Sequence, residues 1–104
     1  MKDIDRYGEW SAETAVYPRD RVNEYLLAGL TEEIGEVAGL FKREIRDDEW
    51  STNKLEREMG DVLWYWVRIC EENGLVPSKV MMKNIEKLTA RKEQGKIHGK
   101  GSDR

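Results

Sequence analysis

The chain has 104 residues, 38% of them hydrophobic and 38% charged, with a net charge of −3. This describes one small domain with a limited core, for which oligomerisation is expected. No apolar run approaches the roughly 20 residues of a membrane span, residues 1–5 lack a signal-like apolar stretch, and Cys70 has no partner for an internal disulfide, so a cytoplasmic protein without membrane contact is expected.

The charge is unevenly spread. Residues 83–104 hold seven Lys/Arg against three acids, a net +4, which leaves −7 on the rest. A basic end on an acidic body suits an anionic ligand held between a cation and Lys/Arg, although a solvated basic tail is the plainer reading. The overall acidity and the lack of a reading motif argue against nucleic acid as a partner.

Residues 1–19 carry Tyr7, Trp10, Ala12, Ala15 and Val16 before Pro18, which predicts a short helix and a turn. Leu26, Leu27, Leu30, Ile34, Val37 and Phe41 recur at helical spacing and predict a second helix with one apolar stripe. Glu33 and Glu36 share a flank of that stripe. The polar run from Arg46 to Glu49 breaks the pattern, and Ser51 or Thr52 is placed to cap the next helix.

That third helix is expected over about residues 53–72, with Leu55, Met59, Leu63, Trp66 and Cys70 as its stripe and Glu58, Asp61 and Tyr65 on one flank. Asn73 and Gly74 form a C-terminal stop, and Pro77 suits the first turn of a fourth helix reaching about Glu93. Met81, Ile85 and Leu88 mark one face of the fourth helix, and Lys83, Asn84, Lys87 and Arg91 gather on the other. From Gly95 onward there is no periodicity. No segment alternates as a strand does. The expected architecture is all-α, an antiparallel bundle of about four helices over residues 1–94, followed by a flexible basic tail over 95–104.

Two stretches repeat one pattern: Glu33-Ile34-Gly35-Glu36-Val37 and Glu58-Met59-Gly60-Asp61-Val62. Acids at i and i+3 project from one side of a helix, so two such pairs facing each other would bring four carboxylates together. Crowded like charges repel, and a hard divalent cation relieves that repulsion; oxygen-only ligands suit magnesium or manganese. The interior glycines Gly29, Gly35, Gly39 and Gly60 each cost roughly 0.5–1 kcal/mol relative to Ala, so they are expected to permit close helix approach or to keep a metal cavity open.

Other chemistries are excluded. A di-iron bundle needs helical E-x-x-H motifs, and the single histidine, His98, lies in the tail. One Cys and one His cannot complete a structural zinc set. Cys70 sits on an apolar stripe and reads as a core residue rather than a nucleophile. Trp66 belongs to the core, whereas Trp64 or Tyr65 is placed to pack, to meet a second subunit or to stack on a base.

The acid, apolar and glycine order of Glu32-Glu33-Ile34-Gly35-Glu36 followed by Glu58-Met59-Gly60-Asp61 resembles the E-E-x-x-E…E-x-x-D pattern of MazG-like nucleotide pyrophosphohydrolases. The resemblance extends over most of residues 7–104. It implies magnesium-dependent cleavage of a nucleoside triphosphate to the monophosphate and pyrophosphate. Glu33, Glu36, Glu58 and Asp61 are then the metal ligands, and Glu32 is an auxiliary ligand or water acceptor. Lys83, Asn84, Lys87 and Arg91 hold phosphate or sugar, and the chain works as a homodimer or a dimer of dimers. Phosphoribosyl-ATP pyrophosphatase, or a nucleotide-binding or partner-binding helical module without turnover, is the alternative.

Overall fold

The computed structural model describes residues 3–95, and the expected tail from Lys96 onward, with His98, lies outside them. Among the described residues the structure is all-helical: α1 (Ile4–Ser11), a 3₁₀ turn (Ala12–Thr14), α2 (Val22–Asp47), α3 (Thr52–Glu72) and α4 (Pro77–Glu93). None of these helices is long and apolar enough to cross a membrane.

The ends of the helices follow local chemistry. Asp3 accepts the Arg6 N–H at 2.9 Å and caps α1, and Ser51 accepts the Lys54 N–H at 3.2 Å and caps α3. Asp48 ends α2 in the left-handed conformation, at φ 57°, with its N–H on the Glu44 carbonyl. Gly74, at φ 71°, follows α3 where a side chain would be strained. Pro77 opens α4, which has no side-chain cap of its own. The Asp5 carboxylate supplies one from α1: it accepts the Ser78 N–H at 2.8 Å and the Ser78 hydroxyl, and these bonds pull its pKa below the ordinary carboxylate range.

α2 and α3 form an antiparallel hairpin, the principal packing unit. At one end Asn23 and Asn73 exchange side-chain amide hydrogen bonds of 3.1 and 2.8 Å. At the other, the Phe41 and Trp50 rings lie 5.1 Å apart. Between them Tyr65 crosses α2 at Gly29, where an added Cβ would stand 2.2 Å from the Tyr65 ring. Of the four interior glycines singled out in the sequence, Gly29 is therefore the one that close approach requires within this chain. Gly35 and Gly60 do not serve that purpose here, since a Cβ at either meets nothing within 4 Å. α1 and α4 pack on each other and on α3.

The segment between α1 and α2 is irregular yet firmly held. Tyr17 is buried, and its hydroxyl donates to Glu72 and accepts from Arg68 Nε at 3.2 Å. Arg68 is itself buried and also reaches Ser11 Oγ, the Gly8 carbonyl and Glu72. Arg19 closes the network from outside with two hydrogen bonds to Glu72, of 2.8 and 2.7 Å.

The buried apolar set is small: Tyr17, Leu26, Leu40, Val67 and Cys70. The expected stripes are only partly covered. Leu27 is 59% exposed, Ile34 51%, Met59 52% and Ile85 54%. The stripe on α2 is wider than a single antiparallel neighbour can cover, so Leu26 and Leu40 turn inward while Leu27, Ile34 and Phe41 stay open. On α4 the expected apolar face is likewise open at Met81 and Ile85, and Pro77, Ser78, Val80, Leu88 and Arg91 are the more covered positions.

Candidate metal centre

The antiparallel register decides which acids meet. With Gly29 abreast of Tyr65 and Asn23 abreast of Asn73, Glu33 falls opposite the α3 turn that carries Glu58 and Asp61. Carboxylate oxygens of Glu33, Glu58 and Asp61 lie within 4.8 Å of one another. Glu33 and Glu58 are half-buried and Asp61 is exposed. Glu36 does not join them and is exposed. Glu32 is exposed too and lines an adjoining hollow of about 220 Å³ with Gly29 and Tyr65.

Full ionisation of this cluster is unfavourable. At 4.8 Å and an effective dielectric of about 20, each charge pair repels by roughly 3 kcal/mol. The response falls on Glu33, whose pKa is pushed up to about 7 from an ordinary 4.5. Burial is the largest cause, followed by a hydrogen bond to Glu58 and then the charges of Asp61, Glu58 and Glu32. The donor set fits an oxygen-liganded cation. With bonds of about 2.0–2.1 Å, magnesium spans roughly 4 Å between opposite ligands, so small rotamer shifts would bring these oxygens onto it.

A cleft of about 310 Å³ opens beside the cluster, lined by Thr14, Glu33, Asp61, Trp64 and Tyr65. Its volume is at the lower end of the roughly 300–1,000 Å³ usual for small-molecule sites. Trp64 and Tyr65 meet at right angles, with centroids 5.0 Å apart and planes at 84°. None of the residues lining this cleft comes from α4, so Lys83, Asn84, Lys87 and Arg91 do not line it. Thr14 is the lining residue that sequence reasoning missed, because a lone threonine in an irregular segment carries no periodic signal.

The model of the MazG nucleotide pyrophosphohydrolase domain matches residues 21–95. The chain belongs to the MazG family. The match takes in α2, α3 and α4 and hence all three clustered acids, whereas α1 and the 3₁₀ turn precede it. The Gene 37 protein of Mycobacterium phage L5 is 32% identical over 112 positions, covering 97% of this chain and 98% of the phage protein. No solved structure is significantly similar.

One consequence for this MazG domain concerns protons. A cation drawn to the cluster must displace the proton that Glu33 retains near neutrality, so loading releases protons. Calorimetric titration with magnesium at pH 6.5 in two buffers of different ionisation enthalpy is expected to show about three-quarters of a proton released. At pH 8.5 the release should nearly vanish.

Proposed function

We propose that the protein hydrolyses nucleoside triphosphates to the monophosphate and pyrophosphate with magnesium, or manganese in its place, water attacking the α-phosphorus. The observation that carries this reading is the Glu33–Glu58–Asp61 cluster lying inside the stretch that matches the MazG domain. These three side chains would hold the cation, and Glu33 would give up its proton to do so. Glu36, exposed on the next turn, would serve as a fourth carboxylate, and Glu32 would accept a hydrogen bond from the attacking water. The chemistry the cation supplies when bound is charge neutralisation at the phosphates and a lowered pKa for that water. No side-chain nucleophile is needed. Cys70 is buried on α3, with its thiol pKa raised chiefly by burial.

The decisive assay is pyrophosphate release from a panel of ribo- and deoxyribonucleoside triphosphates with magnesium, phosphoribosyl-ATP included. Silence across the panel overturns the proposal. Strong preference for phosphoribosyl-ATP reassigns the substrate.

We further propose that a second copy covers the open apolar strip. Leu27, Ile34, Phe41 and Ile45 recur along one face of α2, and the hairpin register sets Met59 abreast of Ile34. The glycines at 35 and 60 leave that surface low enough for another helix to approach. Such a copy would also bring its own Lys83, Asn84, Lys87 and Arg91 toward the phosphates, since the cleft beside the acids takes no lining residue from this chain's α4. Sedimentation equilibrium should return at least a dimer mass, and Ile34→Lys should shift it to the monomer. A monomeric wild type would remove this part of the proposal.

A further inference from the structure

The segment ahead of the MazG match takes part in the cleft through one side chain. Thr14 Oγ1 donates to the Ser11 carbonyl at 3.0 Å and accepts the Trp64 indole N–H at 2.8 Å. A hydroxyl has a single proton, so with that proton on Ser11 the Trp64 N–H meets a fixed acceptor. The contact crosses 50 residues of sequence and sets the azimuth of the Trp64 ring. The plane of that ring stands nearly perpendicular to Tyr65, and also to the buried Tyr17 at 6.2 Å and 82°. Tyr17 is in turn fixed by Arg68 and Glu72. A locked aromatic corner thus adjoins the acidic cluster, in the same 310 Å³ cleft as Glu33 and Asp61.

Resting on the reading of the protein as a nucleotide hydrolase, we propose that the base stacks in the corner formed by Trp64 and Tyr65, and that Thr14 is the positioning residue that holds this corner in place. Because Thr14 already occupies the indole N–H, Trp64 offers the base a π-face and no donor. Selection is therefore by stacking surface, which every base possesses, so substrates are ranked by ring size rather than by hydrogen-bonding pattern. Purine nucleotides stand above pyrimidine nucleotides, with little separation between adenine and guanine.

Steady-state kinetics on the nucleotide panel test this, with inorganic tripolyphosphate as a base-free competitor. Thr14→Val, which keeps the shape and loses the hydroxyl, should raise KM for purine nucleotides about 3- to 10-fold and change kcat less. Thr14→Ser should restore KM. Trp64→Phe, which keeps a ring and loses the N–H, should reproduce Thr14→Val, and the double variant should add little to either. Trp64→Ala should raise KM on the order of 10- to 100-fold while the tripolyphosphate inhibition constant stays put. An unchanged nucleotide KM in Thr14→Val and Trp64→Phe overturns the stacking proposal, as does an equal weakening of tripolyphosphate. Wild-type protein that hydrolyses no nucleotide overturns the enzyme reading itself, a failure seen before any variant is made.

Discussion

Asp61→Asn and Glu58→Gln are expected to abolish pyrophosphate release, by at least about 100-fold, and at the same time to make the metal-free protein more stable. Both effects come from one geometry. Glu33, Glu58 and Asp61 place three carboxylates within 4.8 Å, and in the absence of a cation this arrangement opposes folding. The sign follows from Glu33: its folded pKa of about 7 lies above the ordinary 4.5, so the folded state binds its proton more tightly than the unfolded chain does. Without metal, stability is therefore highest below about pH 4.5 as far as this group is concerned, and it declines as pH rises through 7. Neutralising Asp61 or Glu58 removes one source of repulsion and should flatten that decline. A gain of about 1 kcal/mol raises Tm by roughly 4–8 °C in a domain of this size. Magnesium should act on the wild type alone. At a hundredfold excess over Kd it stabilises the wild type by about 2.7 kcal/mol and leaves the variants almost unmoved. The measurement is thermal unfolding at pH 8 in chelator and in magnesium. Variants that lose activity and metal-free stability together would show that these acids support the fold and do not await a cation.

The sequence carried much of this arrangement in its punctuation. Ser51, the Asn73–Gly74 pair and Pro77 mark the ends of α3 and the start of α4 where the structure has them, because capping and positive φ are local demands. The meeting of two acid motifs was legible in outline for a similar reason, since a short connection forces α2 and α3 to run antiparallel. Three of the four acids so named do meet, but that Glu36 stands apart was not legible. Glu33 and Glu36 share a flank on a helical wheel, and only the Gly29–Tyr65 contact sets the rotation that brings Glu33 inward. Burial was overestimated for the same kind of reason. A periodic stripe says that a face is apolar, not that this chain alone covers it, and Leu27, Ile34 and Met59 remain open. Helix α1 ends at Ser11, well before Pro18, because Tyr17 and Ser11 are drawn into hydrogen bonds with Arg68 from α3. A long-range network of that kind has no period. Its one trace is an arginine set among Val67, Ile69 and Cys70.

That arginine leads to the largest expected effect on folding. Glu72→Ala should lower stability by about 3–5 kcal/mol, while Arg19→Ala should change it far less, although both break the same ion-paired cluster. The difference lies in burial. The Arg68 side chain is 7% exposed and that of Glu72 13%, whereas Arg19 is 65% exposed. Truncating Glu72 leaves a buried guanidinium facing only a phenol, a hydroxyl and a carbonyl, none of which offsets its charge. Truncating Arg19 leaves Glu72 its bonds to Arg68 and Tyr17. Acid provides an independent check. Hydrogen bonds from Arg19 first, then Tyr17 and Arg68, hold the Glu72 pKa down to about 2 against an ordinary 4.5. Its contribution is thus complete above about pH 4.5 and disappears as pH falls toward 2. The stability gap between wild type and Glu72→Gln, followed by urea unfolding, should close over that interval and stay constant above it. The same network seats Tyr17 against Trp64, so Glu72→Ala at a temperature where it remains folded should also raise nucleotide KM. Equal losses from the Glu72 and Arg19 truncations would mean that the buried arginine finds its compensation elsewhere, and the link from this network to the aromatic corner would fail with it.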